Sequence, residues 1–142
     1  MKKHNRHQDL IAYIPSIIML IVIFIFSSQN GSTSGHLSAV IYDCLHRLIP
    51  LPVSREFAII LIRKGAHMCE FALLTLSLDY GLYKNGHEHI MAKALILCFL
   101  FAALDEWHQS FVSGRAGLMT DVLIDTCGGI IVQLIGYMKT LT

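Results

Sequence analysis

Three charged clusters interrupt or border the apolar stretches of this chain. They are Arg63-Lys64-Gly65-Ala66-His67-Met68-Cys69-Glu70, Asp105-Glu106-Trp107-His108-Gln109, and Arg115 followed by Asp121 and Asp125. An ionisable side chain at mid-helix in a bilayer costs roughly 2.5–3.5 kcal/mol on insertion scales, so charges gathered beside apolar segments need partners or a purpose. Any fold for this chain has to bring these groups to one another or to water.

Composition points the same way. The 142 residues are 54% hydrophobic and only 15% charged, whereas a soluble domain carries about 25% charged residues. The length suits one domain, residues 1–142. A formal net charge of +1 gives no reason to expect nucleic acid as a partner. Cys44, Cys69, Cys98 and Cys127 form no CxxC pair, which argues against a zinc ribbon or a thioredoxin-like site. The last three lie in apolar stretches and are expected to pack as small apolar side chains.

The expected fold is all-α: a polytopic membrane protein with a bundle of about four transmembrane helices plus a short interfacial amphipathic helix. The segment 1–9 is basic, with Lys2, Lys3 and Arg6. The uncharged stretch 10–26 reads as a retained first span, kinked by Pro15, rather than a signal peptide, because no clear A-x-A site follows. Residues 27–35 (SSQNGSTSG) read as a polar loop. Leu37, Val40, Ile41, Cys44, Leu45 and Leu48 then recur at helical spacing, with Ser38, Asp43, His46 and Arg47 on the other side. That segment is too short and polar to span and fits an interfacial helix, ended by Pro50 and Pro52.

Ser54 is placed to cap the next helix. A continuous helix from there to Tyr83 would run about 45 Å, longer than a bilayer needs, so it has to tilt, kink or lie partly in the interface, with Gly65 as the candidate break. The second span is then 65–83, with Arg63 and Lys64 snorkelling to the headgroups. The third is 90–105 and the fourth 121–137, joined by loops at 84–89 and 110–120. Four spans place both termini on one side. Lys2, Lys3, Arg6, Lys84, Lys93 and Lys139 make that side cytoplasmic by the positive-inside rule, although Arg47, Arg55, Arg63 and Arg115 count against it. The expected location is therefore the cell membrane, multi-pass, with cytoplasmic termini.

Alternating chain direction then carries all three clusters to the outer end of the bundle. Arg63, His67 and Glu70 stand at i, i+4 and i+7, on one helix face. Asp125 lies one turn below Asp121, and Gly128 and Gly129 allow close helix contact. Asp79 is expected to be solvated at the inner interface, and Trp107 to anchor at the outer one.

Several of these residues match a family pattern. Phe26-Ser27-Ser28-Gln29, Arg63-Lys64-x-x-His67-x-x-Glu70-Phe71, Asp105-Glu106-x-x-Gln109-x-Phe111 with Gly114-Arg115, and Asp121 with Gly128 resemble the VanZ-like membrane proteins. The resemblance runs from about residue 26 to 136. Asp125 stands where an Asn is common, which bears on any role needing a neutral amide there. The family takes its name from a protein giving resistance to the glycopeptide antibiotic teicoplanin. The resemblance therefore implies a role in the cell envelope and lowered susceptibility to such antibiotics.

The clustered residues leave three readings open. In the first, His67, Glu70, Asp105 and Glu106 are candidate acid–base catalysts, since imidazole titrates near neutral pH. Arg63, Lys64, Gln109, Arg115, Asp121 and Asp125 would then bind an anionic, lipid-linked substrate. In the second, the pocket binds an amphiphile without turnover, with residues 37–49 as its rim. In the third, Glu70, Asp121 and Asp125 only neutralise Arg63, Lys64 and Arg115. Expected partners are membrane lipids, a lipid-linked envelope precursor or a lipoglycopeptide. His67-x-x-Glu70 and Asp105-x-x-His108 also have the i, i+3 spacing of metal-binding bundle helices. The adjacent basic residues repel a cation, so no metal and no cofactor are expected.

Overall fold

The protein is described by a computed structural model covering residues 10–48 and 52–141. The basic segment 1–9 and the helix stop at Pro50 lie outside the described residues. All regular structure among the described residues is helical: α1 (Ile14–Ser27), α2 (Gly31–Leu48), α3 (Arg55–Lys84), α4 (Ile90–Gln109) and α5 (Met119–Leu141).

Local chemistry sets most helix boundaries. Pro15 falls in the first turn of α1, where a missing N–H is harmless, and the helical residues Leu10 and Ile11 give way to a turn at Ala12 and Tyr13 just before it, an interruption at the place the proline predicts. Asn30 corrects an expectation. Its side-chain oxygen accepts from the Thr33 N–H at 2.8 Å and from the Ser32 hydroxyl at 2.8 Å. This N-cap starts α2 at Gly31, so most of the expected polar loop is helical. The Ser54 hydroxyl accepts from the Phe57 N–H at 3.3 Å and caps α3. That helix then runs unbroken for 30 residues, or about 45 Å. The candidate break at Gly65 is absent.

Between α1 and α2 the chain bends by 102°. The bend turns α2 across the bundle and leaves Leu37, Val40, Ile41, Leu45 and Leu48 exposed, while Ser38 and Tyr42 are buried. Arg55, the first residue of α3, ties α2 to that helix, donating to Asp43 from Nε at 3.3 Å and Nη2 at 3.1 Å. That guanidinium, half-exposed, holds the Asp43 carboxyl below its usual range.

Helix α3 is the shared wall of the bundle and packs against each of the other four. Its Phe71, Leu74, Leu78 and Leu82 form the core with Ile23, Ala94, Cys98, Ala102 and Val122. Helix α5 lies close against α3 because two glycines remove side chains at the crossing. A methyl group at Gly128 would strike the Met68 carbonyl, and one at Gly129 would sit 2.7 Å from Thr75 Oγ1 and 2.9 Å from Cys98 Sγ. Cys98 is buried there, but Cys69 and Cys127 are exposed, against the expectation that they pack inside.

The polarity of the bundle is inverted relative to a soluble core. Ile17, Ile18, Ile21, Leu73, Leu76, Leu100, Leu104, Ile131 and Leu134 are exposed, whereas Thr75, Asp105, Glu106, Gln109, Asp125 and Gln133 are buried. By length and composition, Met119–Lys139 is the one helix among the described residues suited to cross a membrane alone. The α1–α2 pair qualifies only as a bent unit. The expected spans 65–83 and 90–105 lie within α3 and α4, which carry Arg63, Lys64, Glu70 and Asp79, and Lys93, Asp105 and Glu106. Asp79 is also met by protein rather than only by solvent: Gln133 Nε2 donates to both its oxygens at 2.9 Å.

Two glycine substitutions should separate crowding from helix propensity. Gly128→Val, which pushes α5 off α3, should destabilise the detergent-purified protein by about 1–3 kcal/mol in thermal unfolding. At Gly65 a methyl group meets nothing within 4 Å, so Gly65→Ala should stabilise by about 0.5–1 kcal/mol.

Candidate functional site

The three charged clusters converge at one end of the bundle. Helix α3 brings Arg63, Lys64, His67 and Glu70; the end of α4 brings Asp105, Glu106 and Gln109; α5 brings Asp121 and Asp125; the loop before α5 brings Arg115. Lys64 Nζ pairs directly with Asp121. Both groups are partly exposed, so solvent tempers this contact.

Arg115 organises the loop. Its Nε donates to the Gln29 carbonyl at 2.9 Å, Nη2 to the Phe26 carbonyl at 3.1 Å, and Nη1 to Gln109 Oε1 at 2.9 Å. The Phe26 carbonyl also accepts from the Gln29 N–H at 3.3 Å, so the guanidinium reinforces the turn at the end of α1. Gly114, at φ +73°, makes the turn that presents Arg115, and the Gly31 N–H donates to the Ser113 carbonyl at 3.1 Å. Burial first, then the neighbouring Arg63 charge, pull Arg115 below the usual arginine pKa, though a guanidinium stays charged.

A hydrogen-bonded line continues inward. Gln109, with its carbonyl held by Arg115, donates from Nε2 to Asp105 Oδ2 at 2.7 Å. Glu106 points another way: its Oε2 accepts from the Leu118 N–H at 2.9 Å, just before α5 begins. A carboxylate at a helix N-terminus is favoured by the open amides and the dipole. This capping contact was not anticipated from sequence, because the partner loop is twelve residues away.

His67 Nδ1 lies 4.0 Å from Asp105 Oδ2 and 3.9 Å from Asp125 Oδ2, too far for hydrogen bonds. His67 Nδ1, Glu70 Oε2 and Asp125 Oδ2 are buried atoms without hydrogen-bond partners among the described residues. Arg63 likewise has no hydrogen bond or ion pair among them. Of the purely structural reading, in which Glu70, Asp121 and Asp125 neutralise Arg63, Lys64 and Arg115, one direct pair forms among the described residues, Lys64–Asp121. His108 leaves the cluster, with its Nε2 3.1 Å from Ser28 Oγ and its ring 4.7 Å from that of Phe24. Asp105 and His108 both line a third, mainly apolar cavity beside α1, but His108 is not among the groups that close around His67.

Two cavities flank His67 and Arg63. The larger, about 350 Å³, is lined by Arg63, Lys64, His67, Glu106, Gln109, Arg115, Asp121 and Asp125, with Ile60, Leu118 and Ile124 as its apolar wall. The smaller, about 180 Å³, opens under α2 and is lined by Leu37, Ser38, Ile41, Arg63, His67, Glu70 and Arg115. Helix α2 thus contributes a rim. A volume of a few hundred Å³ with apolar walls and a few convergent charges has the general form of a small-ligand pocket.

The Lys64–Asp121 contact can be isolated by a double-mutant cycle. Lys64→Met, Asp121→Asn and the double variant, compared by thermal unfolding, should give a coupling energy of about 0.5–2 kcal/mol. No coupling would mean that solvent already satisfies both groups.

Against known families, the VanZ/LLP1 family model matches residues 12–140. No curated protein and no solved structure matches the chain.

Proposed function

The chain belongs to the VanZ/LLP1 family, and on that premise we propose that it is a multi-pass cell-envelope membrane protein whose outward-facing pocket binds the anionic headgroup of a lipid-linked ligand. Its four spans lie within α1, α3, α4 and α5, and α2 lies in the outer interface with its apolar stripe toward lipid. The inverted polarity supports this reading: apolar side chains face out, and the polar ones are buried at helix contacts.

Arg63 carries the ligand assignment. Lys64 is matched by Asp121 and Arg115 is spent on Gln109 and two carbonyls. Arg63 lines both cavities and has no counter-ion among the described residues. A guanidinium presents paired donors to phosphate or carboxylate oxygens, and an anion between Arg63 and Arg115 relieves their mutual repulsion. The exposed apolar stripe of α2 beside the smaller cavity suits the acyl or prenyl part of the same ligand. A lipid-linked envelope precursor and a lipoglycopeptide both have this chemistry, and engagement of either is the route by which the chain would lower susceptibility to teicoplanin-type antibiotics.

A second reading adds turnover. His67, which lines both cavities, and Glu70, which lines the smaller, end in buried, unpartnered atoms, where a bound headgroup would meet them. Acid–base chemistry by these residues predicts that Glu70→Gln and His67→Ala retain ligand but abolish its conversion.

Native mass spectrometry of the purified protein tests the binding reading. The wild type should carry an anionic envelope lipid that Arg63→Gln loses, at unchanged helicity; equal retention by the variant would sink the assignment. Topology is tested in intact cells on a background with the four native cysteines replaced. A membrane-impermeant maleimide should label Ala116→Cys directly and Glu88→Cys only after permeabilisation. The reverse result would turn the pocket to the cytoplasm.

A further inference from the structure

We propose that His67 Nδ1, Asp105 Oδ2 and Asp125 Oδ2 form a site for one divalent transition-metal ion at the floor of the larger cavity. The three atoms come from three helices and lie within 4.8 Å of one another. With His67 3.9 and 4.0 Å from the two carboxylate oxygens and all three atoms within 4.8 Å, a point no more than about 2.5 Å from each exists, and zinc bonds to such donors are about 2.0–2.2 Å. A few tenths of an ångström of side-chain adjustment closes the site.

The surroundings favour a cation over an empty cluster of acids. Asp125 is 1% exposed, and its Oδ2 has no hydrogen-bond partner and points at His67. An ionised carboxylate so placed is heavily penalised unless a positive charge meets it. No lysine or arginine among the described residues does: Lys64 is taken by Asp121, and Arg115 by Gln109 and two carbonyls. Glu70, Asp105, Glu106, Asp121 and Asp125 against Arg63, Lys64 and Arg115 leave this end two formal negative charges in excess (5 − 3 = 2). One divalent ion supplies that charge.

Support behind the ligands is also in place. Asp105 Oδ2 accepts from Gln109, whose carbonyl is held by Arg115, the kind of outer hydrogen bonding that orients metal-binding carboxylates. One imidazole and two carboxylates suit Zn²⁺ or Mn²⁺ better than Ca²⁺, which takes six to eight oxygens. His67 and Asp125 line the larger cavity and Asp105 a neighbouring one, so an ion held by the three would be reached from the His67 and Asp125 side. This donor set differs from both i, i+3 pairs seen in the sequence, since Glu70 and His108 lie outside it.

The test uses the full chain in detergent, purified with a histidine-free tag, stripped with chelator and titrated with Co²⁺, Zn²⁺ or Mn²⁺ alone. No anion ligand is added, so the metal site and the headgroup pocket can fail separately. One Co²⁺ per chain should bind, with visible d–d absorption, and Zn²⁺ should displace it. His67→Ala and the near-isosteric Asp125→Asn should each weaken binding at least 100-fold, and Gln109→Leu about 10–100-fold, with helical circular dichroism retained. His108→Ala should leave affinity unchanged. Zn²⁺ should raise the unfolding temperature of the wild type but not of Asp125→Asn. The proposal is overturned if the folded wild type binds no ion, if binding survives intact in both ligand variants, or if His108→Ala alone abolishes it.

Discussion

Acidic groups withdrawn from water at one end of an apolar bundle govern how its helices meet. An unpaired buried carboxylate is among the most costly things a fold can contain. Asp121 is answered by Lys64, Glu106 by the Leu118 N–H, and Asp105 by Gln109. The first joins α3 to α5 and the second joins α4 to the start of α5, while the third lies within the last turn of α4. Together they set the depth at which α3, α4 and α5 align. What is left unanswered, at His67, Glu70, Asp125 and Arg63, is confined to two adjoining cavities.

Arg115 plays the complementary part for the backbone. The Phe26 and Gln29 carbonyls stand at the end of α1, where the chain bends by 102° before α2. Holding those carbonyls with one guanidinium joins α1, the α4–α5 loop and Gln109 in a single contact set. The bend it supports sends α2 across the top of the bundle. The polar pocket therefore has a charged wall and floor from α3, α4 and α5 and an amphipathic rim from α2. A surface of that kind suits a ligand with an ionic head and an apolar tail.

Much of this was legible in the residues. The three clusters, the Ser54 cap and the Gly128–Gly129 crossing follow from helix periodicity and from where charges fall relative to apolar runs. Other features were not. The start of α2 was missed because Asn30, the cap, sits inside a run of loop-forming residues. The candidate break at Gly65 did not occur because one glycine costs a helix little where nothing else ends it. Asp79 was read as solvated because Gln133, its partner, lies 54 positions away. Glu106 was grouped with candidate catalysts because its capping contact depends on the path of a loop.

The chain alone thus determined that its polar groups gather at a common end, since alternating helices with charges at known depths have few other arrangements. Tertiary packing alone decided which groups meet. Periodicity gives a residue's direction on its own helix, but pairing depends on how each helix is rotated against its neighbours. That rotation comes from close contacts such as Gly128 on Met68 and Gly129 between Thr75 and Cys98. It turned His67 between Asp105 and Asp125, and left His108 against α1.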